Sequence, residues 1–325
     1  MNQIIEIAYS NLLSPMILFF ILGIIAVLVN SDLKVPSAFY SGYTMIILFT
    51  IGIKGGVELK NVSLISMLPA IITAILLSMF MVFIAYFILR YLYKFSLENS
   101  AAVAAHYGSV SAVTFVAGLS FLDKLNIFYE SYIAAILVIM EGPAIITAIV
   151  FYKMGQKKLQ QDSGLSHVVK EAFFGKSIFL LVGGLIIGYI AHADGIAKIK
   201  PLFGDLFYGV LCIFLLHIGM VATQELKKLE NIRLLSFSFA FIFPLIGGVA
   251  GVLAGNMIGM SIGGVTMLGV LTASASYIAA PAAVQQAIPD ANPGLYIGSS
   301  LGMTLPFNLI IGLPLYLWLA TLMAQ

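Results

Sequence analysis

Two runs of small and hydroxylated residues interrupt stretches that are otherwise apolar enough to lie in a bilayer. One is AHYGSVSAVT, from Ala105 to Thr114; the other is LTASASYIAAP, from Leu271 to Pro281. Backbone that leaves the helix at membrane depth is tolerated only where it is buried in protein or lines a wet cavity. Both runs therefore read as breaks in discontinuous helices. Two such breaks at matching places in two halves of a chain mark the binding site of a secondary transporter.

The rest of the chain supports a membrane setting. Only 9% of the residues are charged and 61% are hydrophobic, with a mean hydropathy of +1.07; soluble domains carry roughly 25% charged residues. The net charge of +2 comes with no basic run, which excludes a nucleic-acid binder. Cys212, the single cysteine, reads as a small core residue, so no disulfide framework is expected. Glu6 precedes the first apolar run and no Lys or Arg does, a pattern wrong for a cleaved signal peptide.

Hydropathy and punctuation predict ten spans, at 12–31, 36–57, 64–93, 97–120, 130–153, 174–193, 201–222, 234–257, 261–287 and 293–321. Each is near the ~20 residues that a bilayer requires. Between the fifth and sixth lies one polar segment with Lys153, Lys157, Lys158, Lys170 and Lys176. Its side of the membrane also collects Lys34, Arg90, Lys94, Lys227, Lys228 and Arg233; the other side holds Lys54, Lys60, Lys124, Lys198 and Lys200. By the positive-inside rule the central loop is cytoplasmic and both termini face out, in a protein of the plasma (inner) membrane.

The halves repeat. In IGIKGGVELK, from Ile51 to Lys60, and IGMVATQELK, from Ile218 to Lys227, Gly52, Glu58 and Lys60 fall on Gly219, Glu225 and Lys227. Ser109 and Ser111 then fall on Ser274 and Ser276, and Pro143 close to Pro306. Five spans per half is odd, so the second copy enters the membrane inverted. The expected fold is an all-α polytopic protein of ten helices in two inverted five-helix repeats, with two discontinuous crossing helices. Residues 1–155 form the first repeat, 156–173 a cytoplasmic linker and 174–325 the second repeat.

Inversion points the N-termini of the two resumed helices, near Val110 and near Ser276, at each other. Each offers unpaired N–H groups and about half a positive charge. No Lys or Arg occurs in 95–123 or 234–325, so these N-termini and nearby hydroxyls are left to hold a compact anion. The candidate set is Gly108, Ser109, Val110, Ser111, Thr114, Ser274, Ala275, Ser276 and Tyr277. Glu141, deep in the fifth span, is costly unless it faces a cavity or a cation. With Ser109, Thr272, Ser274, Thr304 and Asn308 it forms a candidate Na⁺ ligand set of hard oxygens. A structural or proton-carrying role is the other reading of Glu141, and small-residue helix packing the other reading of the breaks. His106 and Tyr107 read as solute contacts or packing, His217 as an interhelical hydrogen bond, and Glu58 and Glu225 as solvated ion pairs with neighbouring lysines. Trp318, Tyr91 and Tyr93 read as interfacial belt residues.

At these residues the chain resembles the sodium-dependent bicarbonate transporter family (SbtA-like). The similarity is carried by ASASYIAAPAAV (Ala273 to Val284), AIPDANPGLY (Ala287 to Tyr296), SLGMTLPFN (Ser300 to Asn308), GSVSAVT (Gly108 to Thr114) and MEGPAIITAI (Met140 to Ile149). The resemblance implies core and gate domains, Na⁺-coupled uptake of HCO₃⁻ by alternating access, and a homo-oligomer, a trimer. It also implies, as a candidate partner, a regulatory protein of the nitrogen-regulator-like (PII-like) class, although the central loop that engages it in cyanobacterial members is short here. Where those members have Asp-Ile-Pro, this chain has Glu141-Gly142-Pro143, an acid one carbon longer.

Other readings are another small carboxylate as the solute, or a cation/proton antiporter of related fold. The antiporter class puts adjacent acids at its crossing helices, whereas these breaks hold hydroxyls. An intramembrane enzyme would need a catalytic pair at one depth; Ser109 with His106 is the only candidate, so no enzymatic activity is expected. No metal-site spacing is present, and Na⁺ as coupling ion is the only cofactor expected.

Overall fold

A computed structural model describes residues 12–60, 62–156, 175–227 and 234–324. The expectations placed on Glu6, on Lys157, Lys158 and Lys170 of the central segment, on Lys228 and Arg233, and on the termini lie outside the described residues. The described chain is helical, with no strand among the described residues. Seven helices are long and apolar enough to cross a membrane, and three shorter apolar helices accompany them.

The first group of elements is α1 (Pro15–Leu28), α2 (Ser37–Leu59), α3 (Leu64–Phe87, running on through a π turn to Leu92), α4 (Leu97–Gly108), α5 (Ala112–Lys124) and α6 (Ile133–Gly155). The second is α7 (Lys176–Ile190), α8 (Ala193–Lys200), α9 (Phe207–Lys227), α10 (Leu234–Met257), α11 (Ile262–Ala273) and α12 (Ala279–Ala287). The chain ends in α13 (Pro293–Ser299), α14 (Leu305–Phe307) and α15 (Leu313–Met323), joined by π turns at Ser300–Thr304 and Asn308–Gly312. Helix α8 lies between the expected sixth and seventh spans and buries none of its residues. Hydropathy does not reveal it, because its apolar residues, Ile196 and Ile199, are too few to register. The last span is one helical path bent by two π turns, with Pro306 and Pro314 each just inside a resumed α-helical turn.

Helices of the first half pack on helices of the second. α1 lies along α9 and α2 along α7. Glycines set the approach: a methyl group on Gly23 would overlap Leu216 O, one on Gly219 would overlap Phe20 O, and one on Gly52 would overlap Leu181 O. Gly52 and Gly219, equivalent in the sequence repeat, thus do the same job in two helix pairs. The remaining long helices gather separately. α3, α4 and α6 pack mutually, and α10 lies on α11, again through glycines, with Gly247 and Gly251 against Thr272.

The two broken helices match in length and capping. α4 and α11 are each 12 residues long. Ser96 caps α4 by accepting from Asn99 N, and Ser261 caps α11 by accepting from Gly264 N. Each cap supplies one of the orphan N–H groups of a helix start with an acceptor. The path from α4 through α5 is 94% buried over its most apolar window. A lipid-facing helix would show about one bare face, so this helix is walled in by protein.

Candidate anion and sodium site

The first break spans Ser109 to Ser111, between α4 and α5; the second spans Ser274 to Ile278, between α11 and α12. The helices resume at Ala112 and Ala279, slightly later than the sequence reading placed them. The second break is longer by two residues, and Ile278 (φ −113°, ψ −54°) provides no side-chain cap. Ser109, Val110, Ser111, Thr114, Ser274, Ala275 and Ser276 are all 3% exposed or less, and Tyr277 is 9% exposed.

The breaks touch directly. Ser111 N donates to Ser274 Oγ at 2.8 Å, and Ser276 N donates to His106 O at 2.8 Å. Ser111 Oγ donates to Tyr277 OH at 3.1 Å and accepts from Thr114 N at 3.0 Å. Ser274 Oγ also donates to Leu271 O, while Ser276 Oγ accepts from Ala280 N at 3.2 Å. An α-helix start leaves four N–H groups without intrahelical acceptors. At α5, Ser111 and Thr114 have theirs satisfied, so Ala112 and Val113 carry the remaining two. At α12, Ala280 is satisfied and Pro281 has no N–H, which leaves Ile278 and Ala279.

The two halves differ at one hydroxyl. Ser274 Oγ is spent on the opposing break, but its sequence equivalent, Ser109 Oγ, is buried with no partner among the described residues. Glu141 is 3% exposed, and its Oε2 is likewise buried and unpartnered among the described residues. An unpaired carboxylate in that setting costs several kcal/mol, so it calls for a proton or a cation. α6 runs unbroken through Gly142 and Pro143. Pro143 donates nothing to Ile139 O, and Thr147 Oγ1 donates to Pro143 O at 2.7 Å.

The other oxygens expected to hold Na⁺ are already engaged. Asn308 Nδ2 donates to Ala273 O at 2.8 Å, and Asn308 Oδ1 accepts from Tyr316 OH at 3.0 Å. Asn308 thus ties down the end of α11 where it breaks. Thr304 Oγ1 donates to Ala240 O and meets Tyr107 OH, each at 2.7 Å. Thr272 Oγ1 donates to Leu268 O and sits against Gly251 on α10. Gly108 faces α3: a methyl group there would overlap Val82 Cγ2 and lie 3.0 Å from Val82 N. Its Cα therefore serves helix packing, whatever its backbone offers a solute.

Tyr107, read from sequence as packing or a solute contact, is fully enclosed by Phe239, Phe243 and Thr304. His217 Nδ1 makes no hydrogen bond among the described residues, and its ring tilts onto Tyr40 at 4.8 Å. Tyr91 is 68% exposed and Trp318 42%, whereas Tyr93 OH bonds Ser238 Oγ at 2.6 Å.

A cavity of about 450 Å³ lies between α2, α9 and the α5–α6 pair, lined by Lys54, Glu58, Phe115, Asp123, Tyr129 and Phe207, among others. Lys54 Nζ rests 4.9 Å from the centroid of the Phe207 ring, and Tyr129 OH donates to Asp123 Oδ1 at 3.0 Å. Burial, with Asp123 and Glu58 close by, pushes the Tyr129 phenol up from its usual range, so it stays a donor. Glu58 lines the same cavity, with Lys54 close by. Phe115 is on the cavity wall, and its backbone N–H donates to Ser111 O. That bond puts this wall one helical turn from the first break.

The apolar spans and the two buried, mutually bonded helix breaks are those of an integral membrane protein. A profile described as the Na⁺-dependent bicarbonate transporter superfamily matches residues 15–321 of the 325-residue chain, and the chain belongs to that family. A search of curated proteins finds no match.

Proposed function

We propose that this protein is a Na⁺:bicarbonate symporter that works by alternating access. The observation that carries the reading is the paired breaks: two helix starts and a ring of hydroxyls, all buried, with Ser109 Oγ and Glu141 Oε2 left unpartnered among the described residues. Bicarbonate accepts hydrogen bonds from the N–H groups of Ala112, Val113, Ile278 and Ala279 and from Ser109. Na⁺ binds at Glu141 and neutralises it, so that neither ion is stable in the site without the other. That mutual dependence is the physical basis of coupling. Thr272, Thr304 and Asn308 act as supports for the broken helices and not as Na⁺ ligands.

Ten spans in two inverted repeats account for the matched 12-residue stubs, the matched serine caps and the Gly52/Gly219 equivalence. In this reading α1, α2, α7 and α9 form a gate and the broken helices with α3, α6 and α10 form the core. The cavity beside Lys54 runs between these two groups, on the side assigned as extracellular, and serves as the outward access path. Three copies assemble in the inner membrane with both termini outside.

The test is uptake of radiolabelled bicarbonate into proteoliposomes with and without an inward Na⁺ gradient, K⁺ replacing Na⁺ in the control. Gradient-dependent uptake supports the reading; equal uptake in K⁺ removes the symport claim.

A further inference from the structure

Besides the longer second break, the likeness of the two breaks fails at two side chains, both on α4 and its C-terminal edge. His106 stands where the second half has Leu271, at the same distance before its break. Ser109 has an unpartnered hydroxyl among the described residues where Ser274 has a committed one. His106 lies in the last turn of α4 and Ser109 is the cap that follows it, the first residue of the break; the carbonyl of His106 also meets the second break, accepting from Ser276 N at 2.8 Å.

The His106 ring is fully buried and held from two sides. It stacks on Tyr296 with centroids 4.5 Å apart and an interplanar angle of 27°, and its Nδ1 lies 2.7 Å from Ala102 O. A carbonyl oxygen only accepts, so Nδ1 carries the hydrogen. Its Nε2 is buried with no partner among the described residues. A second proton there would make a buried cation with no partner for its new N–H, a costly arrangement. Nε2 is therefore a bare acceptor, fixed in direction by the stacked ring, and only a hydrogen-bond donor can satisfy it. The described residues supply none.

We propose that His106 is a specificity-determining ligand of the solute, whose Nε2 accepts a hydrogen bond from an O–H group of the bound anion while Ser109 Oγ donates to one of its oxygens. This rests on the transport reading above and deepens it. A hydrogen carbonate ion carries one O–H donor beside its acceptor oxygens. Nitrate and formate are of similar size and charge and present acceptors but no O–H. Facing helix N-termini attract all three alike; the imidazole acceptor separates them, because a donor-free anion sets its oxygen lone pairs against the Nε2 lone pair.

The experiment measures bicarbonate, formate and nitrate binding to the purified full-length protein in Na⁺ by competition against radiolabelled bicarbonate. It compares the parent with His106→Phe, which keeps a ring on Tyr296, and His106→Gln, which keeps a polar acceptor. The parent is expected to prefer bicarbonate. His106→Phe should bind bicarbonate about tenfold more weakly, the scale of one hydrogen bond to an ionic partner, with formate and nitrate bound as in the parent or more tightly, because the opposing lone pair is gone; His106→Gln should recover part of the preference. An unchanged bicarbonate preference in His106→Phe overturns the proposal, as does an equal loss of all three anions, which marks a structural role. A parent that transports bicarbonate with Na⁺ but does not prefer it over formate also overturns it while leaving the symport reading intact. A parent that neither binds nor transports bicarbonate overturns both.

Discussion

The backbone N–H of Ser111 donates to the hydroxyl of Ser274 across the two helix breaks, at 2.8 Å. The equivalent hydroxyl, Ser109 Oγ, has no partner among the described residues. Two serines that look interchangeable in the sequence are therefore placed differently, one holding the breaks together and one with a hydroxyl that no described residue engages.

Ser274→Ala is expected to cost stability and transport together. It strands the buried Ser111 N–H, a loss of about 1–3 kcal/mol, visible as a lowered melting temperature in detergent. Ser109→Ala is expected to leave melting within error of the parent and to weaken bicarbonate binding, by roughly 1 kcal/mol. Equal melting shifts for the two variants would contradict the assignment.

Glu141→Gln keeps the volume of a buried side chain and replaces a carboxyl whose Oε2 has no partner among the described residues. The variant should melt at or above the parent temperature, because a neutral amide costs less to bury than a carboxylate. Its apparent Na⁺ affinity in bicarbonate uptake should fall by more than about tenfold, one lost ionic contact. Parent-like Na⁺ dependence would make Glu141 structural.

Gly108→Ala should fail through packing. Its methyl group meets Val82, which is itself fully buried. The variant should lose about 1–3 kcal/mol, the usual range for overpacking, and Val82→Ala added to it should restore part of the melting temperature. Lost bicarbonate binding with parent-like melting would instead mean that the methyl group projects into the site.

Asn308→Ala removes the donor to Ala273 O and one of the two acceptors of Tyr316 OH, which also reaches Pro244 O at 3.1 Å. The expected loss is about 2 kcal/mol or more, and Tyr316→Phe should cost less, because Asn308 keeps its bond to α11. A thermal shift series in detergent ranks the two; Tyr316→Phe costing more than Asn308→Ala would contradict this hierarchy.

The breaks were legible because Gly, Ala and Ser crowd into apolar spans at two places 165 residues apart, as Ser109 and Ser274 are. Helix content and membrane character followed from hydropathy alone. The direction of each polar group did not. Thr272, Thr304 and Asn308 are plausible oxygen donors in one dimension, yet Thr304 and Asn308 are turned to helices far away in the chain and Thr272 to its own helix one turn back. Gly108 sits beside the break but faces α3, a fact set by helix rotation. The short helix α8 escaped because a surface helix of eight residues leaves no apolar run. The state of the His106 ring was hidden for a related reason: Ala102 O, which takes Nδ1, lies one turn back on the same helix, but only the packing around α4 shows that Nε2 has no partner among the described residues.

If Na⁺ and bicarbonate stabilise each other in one site and cross together, each gradient must be able to drive the other ion. The most direct test is the reverse coupling: radiolabelled Na⁺ flux into proteoliposomes driven by an inward bicarbonate gradient, with membrane potential and pH gradient clamped. The bicarbonate gradient is predicted to drive Na⁺ accumulation, and Glu141→Gln to abolish the effect. Na⁺ flux that ignores the bicarbonate gradient, in vesicles that still take up bicarbonate, would contradict the shared site.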